Sequence, residues 1–479
     1  MAKPPNLSKR VGLCLGPGAA LIMLLCGSPE GLPFPGWATA ALLAWMAVWW
    51  ATEAVPIPVT SLLPLVVIPL IGAGTAAEAA SGYSSTIVML LLGGFIIAIG
   101  IERWNLHKRI ALNIVSRVGS KPAMLVLGFM IATSLLSMWI SNTATTLMMA
   151  PIAISAAAAL KQDNEGFLVA LLLGVCYAAS IGGVATPIGT PTNLIAIKWL
   201  EDNSGTTIGY AKWMSFGVPA LLLLIPIAWW AVTRGMPKLM NSDKIVNEIR
   251  EQREALGKIT PPEVRAAIVF GIVALLWVAR VPVQKSLAHM ELSWLQAVSD
   301  MGIAVAGAIA MFLVPSGTGE KRALLNWQEA VKLPWGVLIL FGGGISLGKA
   351  VTRTGLSSWL GEQLSTLSVL PSIFFIAAVV AMVIFLTELT SNVATMTTLA
   401  PVLGALAAAI GAAPQSLLAP AAVAASCAFM LPVATAPNAI IYATDKVPIQ
   451  QMISRGLRIN LLAIVVITAI GYWLAPLVL

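Results

Sequence analysis

The sequence predicts an all-α polytopic membrane protein whose two halves repeat each other in inverted orientation. Three observations carry that expectation. First, 58% of the 479 residues are hydrophobic and 10% are charged, with a mean hydropathy of +0.89. A soluble domain carries about 25% charged residues. Second, apolar stretches fill most of the chain, with room for about eleven transmembrane helices of ~20 residues each. Third, a short polar patch inside one such stretch, Ser137-Met-Trp-Ile-Ser-Asn-Thr-Ala-Thr-Thr146, returns 250 residues later as Thr387-Glu-Leu-Thr-Ser-Asn-Val-Ala-Thr-Met396.

In chain order, spans are expected at 11–27, 37–52, 56–72 and 84–101. Two apolar arms follow at 122–139 and 143–160, then an interrupted span at 166–197 and spans at 213–233, 264–282, 299–315 and 333–351. A second pair of arms occupies 371–389 and 393–411, before an interrupted span at 416–445 and a last one at 457–478. Two amphipathic stretches, 103–119 and 352–367, suit the membrane interface. The basic-then-apolar start resembles a signal peptide but has no small-residue cleavage site, and it fits as the first helix of the set.

Charge sets the orientation. With the N-terminus in the cytoplasm and each pair of arms counted as an even number of crossings, six of the 28 Lys and Arg fall outside: Lys198, Lys212, Arg280, Lys285, Lys349 and Arg353. The other 22 fall inside, as the positive-inside rule requires. The +8 net charge therefore reflects loop placement, not affinity for nucleic acid. The two histidines, His107 and His289, and four unpaired cysteines, Cys14, Cys26, Cys176 and Cys427, suggest neither a zinc site nor a disulfide framework.

Five spans separate the two polar patches. The odd number makes the second pair of arms enter from the opposite face, an arrangement shared by many secondary transporters. Duplication alone would not keep Ser-Asn inside a membrane, where each unsatisfied polar group costs several kcal/mol. Other segments echo too: Leu91-Leu-Gly-Gly94 answers Leu340-Phe-Gly-Gly343, and Ala185-Thr-Pro-Ile-Gly-Thr-Pro-Thr-Asn193 answers Met430-Leu-Pro-Val-Ala-Thr-Ala-Pro-Asn438. Proline removes a helix donor and clashes with the preceding turn, so both of these spans are expected to break. Matched broken helices point to a transport site.

The chemistry follows from the residue types. Hydroxyl and amide oxygens, with carbonyls freed by the breaks, are hard ligands suited to Na+. Ser137, Ser141, Asn142 and the Gly189 carbonyl form one candidate cage; Thr387, Thr390, Asn392 and the Ala434 carbonyl form the other. Helices starting at Thr143 and Val393 would present free N–H groups to a carboxylate. Neither motif contains Lys or Arg, so bound cations and helix ends must balance an anionic substrate, which is a physical basis for symport. Ser-Asn-Thr alone is also an ordinary N-cap; two inverted copies beside broken helices argue against that reading. Glu388, in the second patch, is either a proton or cation site or a structural acid on a helix end, and Glu53 reads as structural. Gly343-Gly-Gly-Ile-Ser-Leu-Gly-Lys349 has phosphate-loop spacing, but Ala350 follows and no strand precedes it. No constellation supports catalysis, so no enzyme is expected.

Together, Ser141-Asn-Thr143, Ser391-Asn-Val393, Ala185-Thr-Pro-Ile-Gly-Thr-Pro-Thr-Asn193 and Trp50-Ala-Thr-Glu-Ala-Val-Pro56 resemble the divalent anion/Na+ symporter family of INDY-like dicarboxylate and citrate transporters. The resemblance covers nearly the whole chain. It implies two re-entrant hairpins tipped by the Ser-Asn motifs, scaffold and transport domains moving as an elevator, and a homodimer in a bacterial inner membrane. It also implies Na+ at the two cages, no organic cofactor, and a C4-dicarboxylate of the succinate, malate or fumarate class held by Asn142, Thr143, Ser391 and Asn392, with Thr190 and Thr435 nearby. Val393 departs from the Thr frequent there and removes one hydroxyl from a symmetric clamp; Thr192 replaces a frequent Pro. The loop 234–265 leaves no room for the soluble insert of sulfate carriers, which favours organic acids. The expected division is 1–36 for the N-terminal segment and first helix, 37–234 for the first repeat, 235–263 for a cytoplasmic connecting loop and 264–479 for the second repeat, with the C-terminus outside. The expected function is Na+-coupled symport of di- or tricarboxylates, and the competing expectation is a Na+-independent organic-acid (dicarboxylate, citrate or tartrate) exchanger on the same fold. A channel would need a continuous polar lining, whereas polarity here is confined to two patches.

Overall fold

A computed structural model describes residues 7–118, 121–158, 165–205, 207–236, 243–287, 293–319, 321–364 and 371–479. Lys3, Lys161, Lys238 and His289 lie outside the described residues, as do the ends of the stretches 103–119 and 352–367. Among the described residues the regular structure is all helical, apart from one isolated bridge between Pro315 and Ala323. Among the described residues, seven helices are long and apolar enough to cross a membrane. They are Ala76–Arg103, Glu165–Gly183, Tyr210–Thr233, Pro261–Ser286, Trp335–Arg353, Asn392–Ala409 and Ile449–Val478. Five shorter apolar helices accompany them, including Pro122–Ser137, Ser372–Thr387 and Gln415–Ala425. These three stop at the polar patches or at a proline break, which is why a count by apolar length alone exceeds the number of full-length helices.

Both pairs of arms turn back on themselves. Pro122–Ser137 and Asn142–Ala158 meet at a tight turn around Ser141. With 1.5 Å rise per residue each arm is roughly 25 Å long, short of the ~30 Å hydrocarbon core. The second arm, and the helix Leu106–Val115 that precedes the first, both reach the amphipathic helix Asp243–Ala255. Gln252 donates to Ser155 Oγ (2.8 Å) near the end of one arm, and Arg253 donates to Ser116 Oγ (3.5 Å) just before the other. The second pair, Ser372–Thr387 and Asn392–Ala409, is arranged alike: Leu356–Leu364, which precedes its first arm, places Gly361 against the Ala405 carbonyl of its second.

The proline segments break two helices in the same way. Glu165–Gly183 gives way to an irregular stretch before Pro191–Ser204, and Gln415–Ala425 does so before Ala436–Tyr442. Pro191 falls in the first turn of its helix, where a missing N–H costs nothing. Glu165–Gly183 is the most enclosed of the seven long helices and forms the centre of the main hydrophobic core. Around it, Cys176 Sγ donates to Asn438 Oδ1 (2.9 Å) and Tyr177 packs edge-on to Phe429, so the two broken helices belong to one body. All four cysteines are free thiols.

The glycine echoes mark close crossings. A Cβ at Gly93 would lie 2.7 Å from the Ala304 backbone, and one at Gly343 would strike the Ser61 carbonyl. The run Gly343 to Lys349 lies inside the helix Trp335–Arg353, so its N–H groups are not available to cradle a phosphate. Trp50 is buried and donates to Ser61 Oγ (3.2 Å), tying Phe34–Thr52 to the helix Ile57–Thr60. Glu53 is exposed at a left-handed turn and faces Lys9 at 3.4 Å, a surface role.

Candidate functional site

At the first tip, helix Pro122–Ser137 ends by placing Ser137 Oγ 2.7 Å from both Asn142 Oδ1 and the Ala179 carbonyl. One hydroxyl proton serves two acceptors, so lone pairs are in surplus. The Gly189 carbonyl joins this group. A Cβ at Gly183 would lie 2.6 Å from Asn142 Oδ1 and 3.0 Å from Gly189 O, so both oxygens sit over the bare backbone of Gly183. Three of the four expected ligands, Ser137, Asn142 and Gly189, therefore converge. Ser141, the fourth, turns its hydroxyl to the Ala144 N–H (3.3 Å) and caps the next helix.

The second tip repeats the geometry. Thr387 Oγ1 lies 2.7 Å from Asn392 Oδ1 and 2.9 Å from the Ala425 carbonyl. Thr390, expected beside them, points its hydroxyl at the Leu386 carbonyl (2.9 Å) and at Thr395 Oγ1 (2.6 Å). The structure thus joins Thr387 to Asn392 and Thr390 to Thr395. Ala434 is buried in the matching irregular stretch, its N–H bonded to the Leu431 carbonyl.

Two asparagines hold the breaks open. Asn193 Nδ2 spans the carbonyls of Gly183 (3.0 Å), Val184 (3.2 Å) and Thr186 (2.8 Å). Asn438 Nδ2 spans those of Ala428 (3.0 Å) and Leu431 (2.9 Å). Each satisfies carbonyls orphaned where a helix stops. Their pairing was visible in the repeat; their role as clamps was not, because the orphaned groups exist only in the fold. Thr186, whose hydroxyl bonds the Met138 carbonyl, ties the first break to its tip.

Glu388 has a clear assignment. Its oxygens accept from the N–H groups of Phe429 (2.8 Å), Met430 (2.9 Å) and Leu431 (3.0 Å), and from Asn460 Nδ2 (2.7 Å). The carboxylate caps the second broken segment and is 3% exposed. Of the two expectations, the structural acid fits.

The expected carboxylate contacts gather at the same tips. Thr145 N–H bonds the Ser141 carbonyl (2.9 Å) and Thr395 N–H bonds that of Ser391 (2.8 Å), which fixes Asn142 and Asn392 in the first turns of their helices. The Asn392–Ala409 helix has no side-chain cap from Ser391, so that hydroxyl remains available alongside the first-turn N–H groups. Thr143 and Val393 are half-buried beside the asparagines. Thr190 and Thr435 both adopt extended backbone just before their helices; the Thr435 hydroxyl caps Asn438 N–H at 3.3 Å, whereas Thr190 makes no such cap.

The donor set is compatible with Na+. It consists of neutral oxygens, and Thr145 Oγ1 and Asn193 Oδ1 are additional buried oxygens without a partner among the described residues. No cluster of His, Cys, Asp or Glu suited to a transition metal occurs among the described residues.

Comparison with known proteins agrees with this reading. Residues 9–479 match the family described as the sodium:sulfate symporter transmembrane region. Sodium-dependent dicarboxylate transporter SdcS of Staphylococcus saprophyticus is 40% identical over 495 residues, covering 100% of this chain and 93% of its own. SdcS of Staphylococcus aureus strain MRSA252 is 40% identical over 491 residues, with the same coverage. In fold, the chain resembles MtrF of Neisseria gonorrhoeae, described as one of a class of antimetabolite efflux pumps (TM-score 0.58, 15% identity, 95% of this chain and 97% of that one). It also resembles the YdaH transporter of Alcanivorax borkumensis (TM-score 0.57, 14% identity, 92% and 98%). The chain is a membrane transporter, not an enzyme, and belongs to the sodium:sulfate symporter transmembrane family.

Proposed function

We propose that the protein carries out Na+-coupled symport of C4-dicarboxylates of the succinate, malate and fumarate class. The observation that carries this is the pair of matching oxygen clusters, Ser137–Asn142–Gly189 and Thr387–Asn392, each at the tip of a hairpin and beside a broken helix. Relatives at 40% identity bear the name of sodium-dependent dicarboxylate transporters, and the clusters hold neutral oxygens without a fixed cation. Dicarboxylate binding then requires Na+, because without it two negative charges face only helix N-termini.

In this reading both hairpins, both broken helices and the spans Tyr210–Thr233 and Ile449–Val478 bonded to them form the transport domain, and the other spans form the scaffold. Alternating access is of the elevator type. Two features support that division: Thr192–Ser426 and Cys176–Asn438 bonds knit the two halves of the transport body, while a hydrogen bond from Thr352 to Asn203 (2.8 Å) links it to the helix Trp335–Arg353. The proposed unit is a homodimer in a bacterial inner membrane, with the N-terminus cytoplasmic and the C-terminus outside. The test is uptake and counterflow of labelled succinate, malate, fumarate and citrate in proteoliposomes, with and without Na+. Accumulation driven by a Na+ gradient is expected. Equal exchange without Na+ would establish the exchanger instead, and failure of every acid to bind under any salt would overturn the reading.

A further inference from the structure

The lysine that closes the phosphate-loop look-alike lies at a cavity. The cavity, about 260 Å³, opens between Trp335–Arg353, the second-hairpin arm Asn392–Ala409 and Pro191–Ser204. Its deep side is apolar and buried: Phe341, Ile345, Ala400 and Pro401, with Ile195 and Trp199 alongside. Its mouth is charged, and the exposed residues Asp202, Asn203, Thr352 and Arg353 surround it with Lys198 and Lys349.

The charges at the mouth do not cancel. Lys198 pairs with Asp202, and Arg353 pairs with Glu78 at 3.2 Å. Lys349 reaches only the Ser81 hydroxyl, at 3.1 Å, and has no carboxylate partner among the described residues. One uncompensated positive charge thus stands over an apolar floor. Thr397 lines the same cavity, 5% exposed, and its hydroxyl has no partner among the described residues. Small-molecule sites have this composition, mostly apolar walls with a few placed polar groups. The stoichiometry selects the ligand. A dicarboxylate would bring a second charge onto the apolar floor, where an unpaired ion is strongly disfavoured. A single carboxylate with an apolar tail satisfies both ends.

We propose that this cavity is a second ligand site, separate from the hairpin tips, for an amphiphilic monocarboxylate: the head on Lys349, the tail on Phe341, Ile345 and Pro401. A ligand seated there touches both the helix Trp335–Arg353 and the hairpin arm. Under the elevator reading, on which this consequence alone rests, occupancy holds the two together and slows transport without competing for the cargo.

The probe is octanoate, below its micellar concentration, titrated calorimetrically into the full-length protein in lipid nanodiscs. Two variants test the site. Lys349→Met removes the charge. Gly348→Leu fills the space, since Gly348 lines the cavity with no atom within 4 Å of a Cβ there, and leucine is a better helix former than glycine. Saturable binding is expected for the native protein and for Lys349→Arg, and at least tenfold weaker binding for Lys349→Met and Gly348→Leu at unchanged melting temperature. Unsaturable uptake, or equal binding in both variants, would mean octanoate merely partitions into lipid and would overturn the site. Displacement of octanoate by an equal concentration of succinate, lost in the same variants, would also overturn it by making the cavity an antechamber for cargo. In proteoliposomes, octanoate is expected to lower maximal succinate uptake with unchanged KM, and to spare Gly348→Leu. Variant-sensitive binding without this effect would uphold the site and overturn its braking role.

Discussion

Thr192 and Ser426 meet hydroxyl to hydroxyl at 2.9 Å, one from each half of the chain and both fully buried. The bond joins the two broken helices. Without Thr192, Ser426 keeps only a long contact to the Ala422 carbonyl (3.4 Å). Thr192→Val and Ser426→Ala are each expected to cost about 1 kcal/mol, because a lone hydroxyl is left buried. The double variant is expected to cost less than the sum, because both single changes break the same bond. Thermal melts in one detergent measure all three.

Removing either tip amide is expected to reduce Na+-driven uptake to background. Asn142→Ala and Asn392→Ala each delete the oxygen that Ser137 or Thr387 faces at 2.7 Å, while both sites are half-buried at helix starts, so the variants should fold and insert. Near-native uptake by either variant would refute the site assignment.

Adjacent glycines are expected to give opposite phenotypes. A Cβ at Gly183 enters the first cluster, 2.6 Å from Asn142 Oδ1. Gly183→Ala should therefore raise the Na+ concentration for half-maximal uptake at least tenfold in a folded protein. At Gly182 the Cβ meets the Ser134 backbone, which has no room to give, so Gly182→Ala should fail to yield stable protein. A Na+ titration and a size-exclusion profile separate the two.

Glu388→Gln exchanges an acceptor oxygen for an amide that faces N–H donors, three of which come from the backbone at 429–431. Leaving buried donors unpaired is expected to cost roughly 2–4 kcal/mol. A proton-coupling role would show instead as loss of pH dependence at unchanged melting temperature, an outcome that would exclude the capping role.

In the one-turn helix Trp327–Ala330, burial alone would raise the Glu329 carboxyl. Hydrogen bonds from Arg322 and Arg103 and from Asn326 N–H outweigh it and hold the group below its usual value of 4.5. A depressed folded value stabilises the protein above that pH, and the contribution disappears as pH falls through the folded value. Glu329→Gln should lower the melting temperature by about 2 °C at neutral pH. The gap between native and variant should close on acidification.

Much of this arrangement was legible in the sequence because membrane burial penalises idle polarity. Ser137, Asn142, Thr387 and Asn392 stood out as polar groups in apolar runs, and Pro187 and Pro432 marked the breaks. Distance-dependent facts were not legible. Thr390 and Ser141 lie in the two motifs beside the clustered residues, yet their hydroxyls turn to Thr395 and to a helix cap. Glu388 could not be assigned in advance because its donors lie 41 to 72 residues away in sequence. Gly183 carried no distinguishing sequence signal, because its significance is the room it leaves for two oxygens.

The amphipathic helix Asp243–Ala255 touches the first hairpin through Ser155, near the end of its second arm, and meets Ser116 at the end of the helix Leu106–Val115 that precedes the first arm. Under the elevator reading, a displacement of that hairpin reaches this helix through the Ser155 contact. On that reading, a fluorophore or a recombinant antibody fragment on this helix gives a handle for watching or jamming the cycle without touching either tip.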